Sequence, residues 1–187
     1  MLKRNFDILM SLTLLIILFP IICILYVLIF LDDGAPVIYW SRRIGKNKVE
    51  FQMPKFRTMK KNCPQVATHL LSDEKSYLIR SGSFLRKTSL DEIPQLWSVV
   101  SGEMSLVGPR PALFNQDDLV DEREVYHLNS LRPGITGWAQ INGRDSISIK
   151  EKVQKDFEYL ENQNFIFDLK IIWLSVFAVL RRKDIRH

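Results

Sequence analysis

Apolar and charged positions divide the chain into three unequal parts. From Ile8 to Leu31 there are 24 residues without a charge, preceded by Lys3 and Arg4 and closed by Asp32 and Asp33. The middle is mixed. Val37 to Trp40 (VIYW) and Val49 to Met53 (VEFQM) read as short strands, and the polar stretch Asn62 to Lys75 as a loop with some helix. Helical spacing appears at Ser83–Lys87, Ile93–Val100 and Ile149–Glu161, and Ala112–Leu131 reads as one charged, solvated helix. Pro133 to Arg144 (PGITGWAQINGR) is turn-rich, with Asn142-Gly143 a hairpin signal. A final apolar stretch, Phe165 to Leu180, is interrupted by Asp168 and Lys170 and followed by Arg181-Arg182-Lys183. No internal repeat or low-complexity tract occurs. The pattern predicts a mainly α chain with a few short strands (α+β), forming a single domain over residues 1–187.

The N-terminal run has two readings. About 20 apolar residues suffice for a transmembrane helix. Against a simple span stands Pro20, which removes a backbone hydrogen bond and crowds the carbonyl of Ile16. Both flanks are also basic, with Lys3 and Arg4 before the run and Arg42, Arg43, Lys46 and Lys48 after it, whereas cytoplasmic flanks alone carry such an excess. If both ends stay on one side, residues 1–33 form a re-entrant hairpin broken at Pro20, with two arms of about 12 residues and about 18 Å each. Ser11 and Thr13 are the hydroxyls near the carbonyl that Pro20 leaves unpaired. The C-terminal stretch, residues 165–183, suits an amphipathic helix at the membrane interface, its basic end on lipid phosphates. An ordinary buried helix fits those residues equally well.

Composition narrows the class. Hydrophobic residues make up 47% and charged residues 25% of 187, with a mean hydropathy of −0.02, which excludes disordered, collagenous and polytopic membrane chains. Lys and Arg number 26 against 21 Asp and Glu, a net charge of +5 that suits an anionic surface or substrate. Cys23 and Cys63 lie in dissimilar surroundings and do not read as a disulfide. Together with three scattered histidines, they give no zinc spacing.

No P-loop, dinucleotide fingerprint, HExxH or nucleophile elbow is present. The notable stretch is Arg86-Lys87-Thr88-Ser89-Leu90-Asp91-Glu92-Ile93-Pro94-Gln95-Leu96. Pro94 suits a first helical turn, which puts Asp91-Glu92 at a helix N-terminus, where free N–H groups favour anions. An ionised Asp can attack phosphorus, and a neighbouring Glu can take a proton or help hold a divalent cation. Plain helix capping is the alternative. Lys55, Arg57, Arg86, Lys87 and Arg110 lie in segments bounded by Pro or Gly. They suit phosphate binding, though each also reads as a surface charge.

These residues form ordered motifs. They are Lys3-Arg4-x-Phe6-Asp7, the proline-interrupted apolar run, KFRTM (Lys55–Met59), SLDEIPQL (Ser89–Leu96), SLVGPRP (Ser105–Pro111) and PGITGWAQINGR (Pro133–Arg144). Over essentially its whole length the chain resembles the small monotopic phosphoglycosyl transferases, bacterial sugar transferases that begin glycoconjugate assembly on polyprenol phosphate. The resemblance implies a catalytic core without the extra N-terminal spans of larger relatives. It would be held by its re-entrant helix at the cytoplasmic face of the bacterial inner membrane.

It further implies that Asp91 attacks the β-phosphate of a UDP-sugar, releasing UMP and forming an aspartyl phosphosugar. Undecaprenyl phosphate then takes up the phosphosugar, with Mg²⁺ required. Asp91 and Glu92 would hold the metal, while Arg86, Arg110, Lys55, Arg57 and Arg144 would bind phosphates or substrate. Downstream glycosyltransferases are possible partners. Many relatives carry Ser-Pro where this chain has Phe19-Pro20, so the geometry of the break is not transferable. Two other classes fit the sequence less well: a non-catalytic membrane-surface module does not account for the motifs, and a nucleic-acid binder lacks any recognisable reading element.

Overall fold

The computed structural model describes residues 2–63, 74–143 and 147–180. Helix α1 (Leu2–Asp33) is 32 residues long and holds Pro20 in its interior. The two separate arms expected at Pro20 are not seen, because helical backbone continues through it. Proline's fixed φ is itself close to helical, so the ring removes one ladder bond without ending the helix. Thr13 Oγ1 donates to the carbonyl of Leu9 (2.9 Å) rather than to that of Ile16. By length and composition α1 could cross a membrane, yet it leans on the rest of the chain along one edge. Leu25 and Ile29 pack with Val37, Phe56, Ile79 and Leu85, while Phe6, Leu14, Leu15 and Leu18 pack against a second cluster around Val99, Met104 and Ile171. Ile16, Ile17, Phe19, Ile24 and Leu31 face outward.

Polar contacts fasten both ends of α1. At the start, the Lys3 ammonium meets Asp168 Oδ2 (2.6 Å), Arg4 donates to the carbonyls of Val99 (2.7 Å) and Val100 (3.1 Å), and buried Asp7 accepts from Ser105 Oγ (2.7 Å). At the far end, Asp32 accepts from the backbone N–H (2.7 Å) and Oγ (2.8 Å) of Ser81. Arg57 Nη2 donates to the carbonyls of Asp33 (3.1 Å) and Gly34 (2.6 Å).

Strands β1 (Ile38–Ile44) and β2 (Glu50–Phe56) form an antiparallel hairpin, paired from Ile38↔Phe56 to Ile44↔Glu50. Both run further than their apolar cores predict. Pro54 is tolerated inside β2 because β2 is the edge of a three-stranded sheet in which β1 is central and Ala112–Leu113 (β4) forms the other edge, and an edge proline lacks no ladder donor. A short helix α2 (Glu74–Tyr77) precedes α3 (Gly82–Thr88) and α4 (Gln95–Ser101). Strand β3 (Ser105–Val107) lies parallel to β5 (Gly134–Thr136). Just beyond β3 the two backbones lie so close that a Cβ on Gly134 would collide with the Gly108 nitrogen.

Residues Ala112–Leu131 are not one helix. They divide into β4 (Ala112–Leu113), α5 (Asp117–Glu124) and a 3-10 turn at Leu128–Ser130, with His127 left-handed (φ 55°) between the last two. Asn142-Gly143 is not a hairpin turn but the end of helix α6 (Trp138–Ile141), with Gly143 at φ 143°. Positive φ serves a helix C-terminus and a tight hairpin alike, so the dipeptide alone does not distinguish them.

Helix α7 (Ile149–Glu161) forms as its amphipathic period predicts, opened by a capping box between Ser148 and Glu151. Helix α8 (Phe165–Leu180) buries Asp168 and Ile171 and turns Ile166, Leu169, Trp173, Val176 and Phe177 outward. It is docked along one edge and apolar on the other. Arg181–Lys183 lie outside the described residues.

Candidate active site

The dyad sits between α3 and α4, on a 3-10 turn of its own at Leu90–Glu92. Ser89 adopts φ 56° and ends α3, which turns the chain sharply before the carboxylates. Pro94 immediately precedes α4, so Asp91 and Glu92 lie upstream of that helix rather than in its first turn. Local backbone turning and neighbouring side chains therefore shape this site, more than a helix dipole does.

The two carboxylates have different surroundings. Glu92 Oε1 accepts from Lys55 Nζ (2.9 Å) on β2 and from Arg110 Nη2 (3.1 Å) on the segment after β3. Asp91, only 8% exposed, makes no hydrogen bond to any other described residue. Burial pushes its carboxyl up to about 6, opposed by Lys55, reinforced by the Glu92 charge, and opposed again by Arg86 and Arg110. Lys55 is itself pushed down by burial, with Glu92 acting against that shift.

Arg86 Nε donates to Thr58 Oγ1 (2.9 Å), which orients one side of the site. Arg43, which the sequence reading used only as a topological flank, belongs here too. Burial and then Arg110 lower its guanidinium to about 10, with Glu92 acting the other way. The register pairs Tyr39 with Lys55, Ser41 with Met53 and Arg43 with Phe51, placing Arg43 and Lys55 on one face of the hairpin. Had β1 been extended to Ile44, simple alternation would have found it. Lys55, Arg43, Arg86 and Arg110 thus surround two carboxylates with an excess of positive charge.

Other expected residues are placed elsewhere. Arg57 does not join the dyad. Its guanidinium is buried on Asp33 (Nη1 to Oδ2, 3.1 Å) and the carbonyls at the end of α1, so its role is to dock that helix. In β2 the strand alternation would put Arg57 on the face of Lys55, but residue 57 lies beyond the strand end at Phe56, where the alternation no longer applies. Lys87 is exposed. Arg144 lies outside the described residues.

Among the described residues no group of three or more His, Cys, Asp or Glu is placed to hold a metal. Two adjacent carboxylates nevertheless fit Mg²⁺, which is ordinarily held by one or two carboxylates together with substrate phosphates and water.

The chain matches the bacterial sugar transferase family over residues 1–182. It belongs to that family. It is 40% identical over 186 residues to the uncharacterized sugar transferase EpsL of Bacillus subtilis, covering 100% of this chain and 91% of that protein. It is 38% identical to the exopolysaccharide production protein ExoY of Sinorhizobium fredii, over 95% of this chain and 84% of that one. The UDP-glucose:undecaprenyl-phosphate glucose-1-phosphate transferase of Escherichia coli is 38% identical over 95% of this chain, which corresponds to 40% of that larger protein.

Proposed function

We propose that this sugar transferase moves a sugar 1-phosphate from a UDP-sugar to undecaprenyl phosphate, working at the cytoplasmic face of the inner membrane. The observation that carries the reading is the pair of unlike carboxylates, Glu92 bound by Lys55 and Arg110 and Asp91 buried with no hydrogen bond from its carboxylate to the described residues, inside a cluster of four cations. A diphosphate donor and a phosphate acceptor are both anionic, and neutralising them is the precondition for attack by a carboxylate. Lys55, Arg43, Arg86 and Arg110 supply that neutralisation.

Asp91 is the nucleophile. A carboxylate oxygen forms a bond to the β-phosphorus, and the bond from that phosphorus to the bridging oxygen breaks, so UMP leaves with the electron pair. The phosphate oxygen of the polyprenol then attacks the same phosphorus and frees Asp91. Glu92, anchored by Lys55 and Arg110, helps deprotonate that acceptor. Mg²⁺ held by Asp91 and Glu92 would offset further charge on the donor phosphates.

Names of relatives support the same reaction class: the Salmonella typhimurium protein is an undecaprenyl-phosphate galactose phosphotransferase, and the Aeromonas hydrophila one a UDP-N-acetylgalactosamine-undecaprenyl-phosphate N-acetylgalactosaminephosphotransferase. A panel of UDP-sugars, assayed with undecaprenyl phosphate and Mg²⁺, should give UMP release with at least one donor. Silence across UDP-hexoses, N-acetylated and diamino sugars would reject the reading.

We infer a re-entrant arrangement in the sense that both ends of α1 stay at one face of the membrane, although its helical backbone is continuous through Pro20. Lys3, Arg4 and Asp7 at one end of α1 and Asp32 and Asp33 at the other bind the same folded body. A helix crossing the bilayer would place one of those polar ends on the opposite side. Single-cysteine variants Leu2→Cys and Ala35→Cys, in a Cys23→Ser/Cys63→Ser background, should both react with an impermeant maleimide from the cytoplasmic side alone. Labelling of the two from opposite sides would establish a span.

A further inference from the structure

The segment Pro109-Arg110-Pro111 is held at three successive carbonyls. The Pro109 carbonyl accepts from the Gly134 N–H (2.9 Å), that of Arg110 from Arg123 Nη1 (2.9 Å), and that of Pro111 from Arg43 Nη1 (3.2 Å). The two prolines fix their own φ and offer no N–H, so the carbonyls are the handles by which this segment is oriented. Arg123 on α5 is 7% exposed, and Asp156 on α7 is 1% exposed. Asp156 Oδ2 takes both Nε (3.1 Å) and Nη2 (2.7 Å) of Arg123, leaving Nη1 aimed at Arg110.

A buried ion pair is a poor way to gain stability, since an apolar pair of similar volume often serves as well or better. Here it holds the backbone of the residue whose side chain bridges to Glu92. We propose that the Asp156–Arg123 pair is a positioning device for Arg110. It sets the peptide from which the Arg110 guanidinium reaches Glu92 and the donor phosphates. The inference rests on the transfer reaction proposed above, and it assigns α5 and α7 a part in a site they do not otherwise touch.

The test is a double-mutant cycle in the full chain. Arg123→Met with Asp156→Leu removes both charges at once, so that neither is left buried alone. UMP release by this pair variant should fall about 10- to 100-fold in kcat/KM, the scale expected from a small misplacement of a charge-stabilising group. Arg110→Ala should lose a similar factor. Adding the pair variant to Arg110→Ala should lose little more, because both act through one side chain. Losses that multiply, or a pair variant within twofold of wild type, would overturn the proposal.

Arg123→Lys, which keeps the charge opposite Asp156 but has no fork to reach the Arg110 carbonyl, covers the case in which the pair variant does not fold. It should fold and still lose activity. A measurement without turnover separates this inference from the reaction itself: the Nε–Hε resonance of Arg110 should be ordered in wild type and mobile in the pair variant. An equally ordered resonance in both rejects positioning, whereas a wild-type protein silent on every UDP-sugar rejects only the reaction.

Discussion

UMP release should fall at least about a thousandfold in the Asp91→Asn variant, the scale seen when a covalent nucleophile is removed. Asn keeps the shape of the side chain and loses only the negative oxygen that attacks phosphorus. The loss should appear in a single-turnover burst without acceptor, because the first half-reaction is the one that needs Asp91. The same substitution should not unfold the protein. Asp91 has its carboxyl raised to about 6 from an ordinary value of 3.8, mainly by burial. A raised carboxyl contributes its stability below about pH 4 and loses it as pH rises through about 6.

At pH 8 the ionised group therefore costs the folded state on the order of 2–3 kcal/mol, at 1.36 kcal/mol per unit. Asp91→Asn relieves that cost. In the absence of divalent cations the variant should melt at or above the wild-type temperature at pH 8, with no such advantage at pH 4. Wild-type kcat/KM for the UDP-sugar should rise with pH through about 6 as the nucleophile ionises. A persistent UMP burst in the variant would remove Asp91 from the mechanism.

Much of the site is legible along the chain because its members sit in rigid, locally determined segments. Asp91 and Glu92 lie on a turn set by residues 89–94, and Arg110 sits between two prolines, so reading the motifs was enough to bring the three together. Arg43 was missed for a physical reason. Its side chain joins the site only through cross-strand register with β2, and β1 looks shorter than it is because the polar residues Ser41, Arg42 and Arg43 interrupt it before Ile44. Arg57 is the reverse case, a cation of the motif that the fold places away from the dyad. Strand β2 ends at Phe56, so the next cation is directed at the terminus of α1 instead of the dyad.

The fold follows the same division. Amphipathic period identified α7, and the apolar stretch from Phe165 to Leu180 identified α8. The division of residues 112–131 into strand, helix and turn was not visible, because β4 owes its existence to pairing with Arg43 and Ile44, more than sixty residues away. Pro20 likewise carries two meanings: it lowers the stability of a helix interior, but it does not by itself say where a helix stops.

The stability of α1 on its body should depend most strongly on Asp168. This carboxylate is 3% exposed and serves two donors at once, the Lys3 ammonium (2.6 Å) and the Tyr159 hydroxyl (2.7 Å). Burial and then the Asp168 hydrogen bond push the Tyr159 phenol above its ordinary range, so the hydroxyl remains a donor at any physiological pH. Asp168→Ala deletes the acceptor of both. Tyr159 can turn to the Val107 carbonyl, already 3.3 Å away, but Lys3 loses its one ion pair among the described residues and is left against the Val107 carbonyl at 3.2 Å.

Breaking a fully buried pair costs about 3–5 kcal/mol. Since the Lys3 side chain is 30% exposed and regains some water, the lower end of that range, about 3 kcal/mol, is the expected loss. For a chain of this size that corresponds to a fall in Tm of roughly 6–12 °C. The double variant Lys3→Met/Asp168→Leu removes both charges and should recover most of it, because the penalty comes from the partner left behind. Thermal unfolding of the three proteins in the same detergent gives the comparison. An Asp168→Ala protein as stable as wild type would show that the apolar edge of α1, from Phe6 to Ile29, holds the helix without its polar anchor.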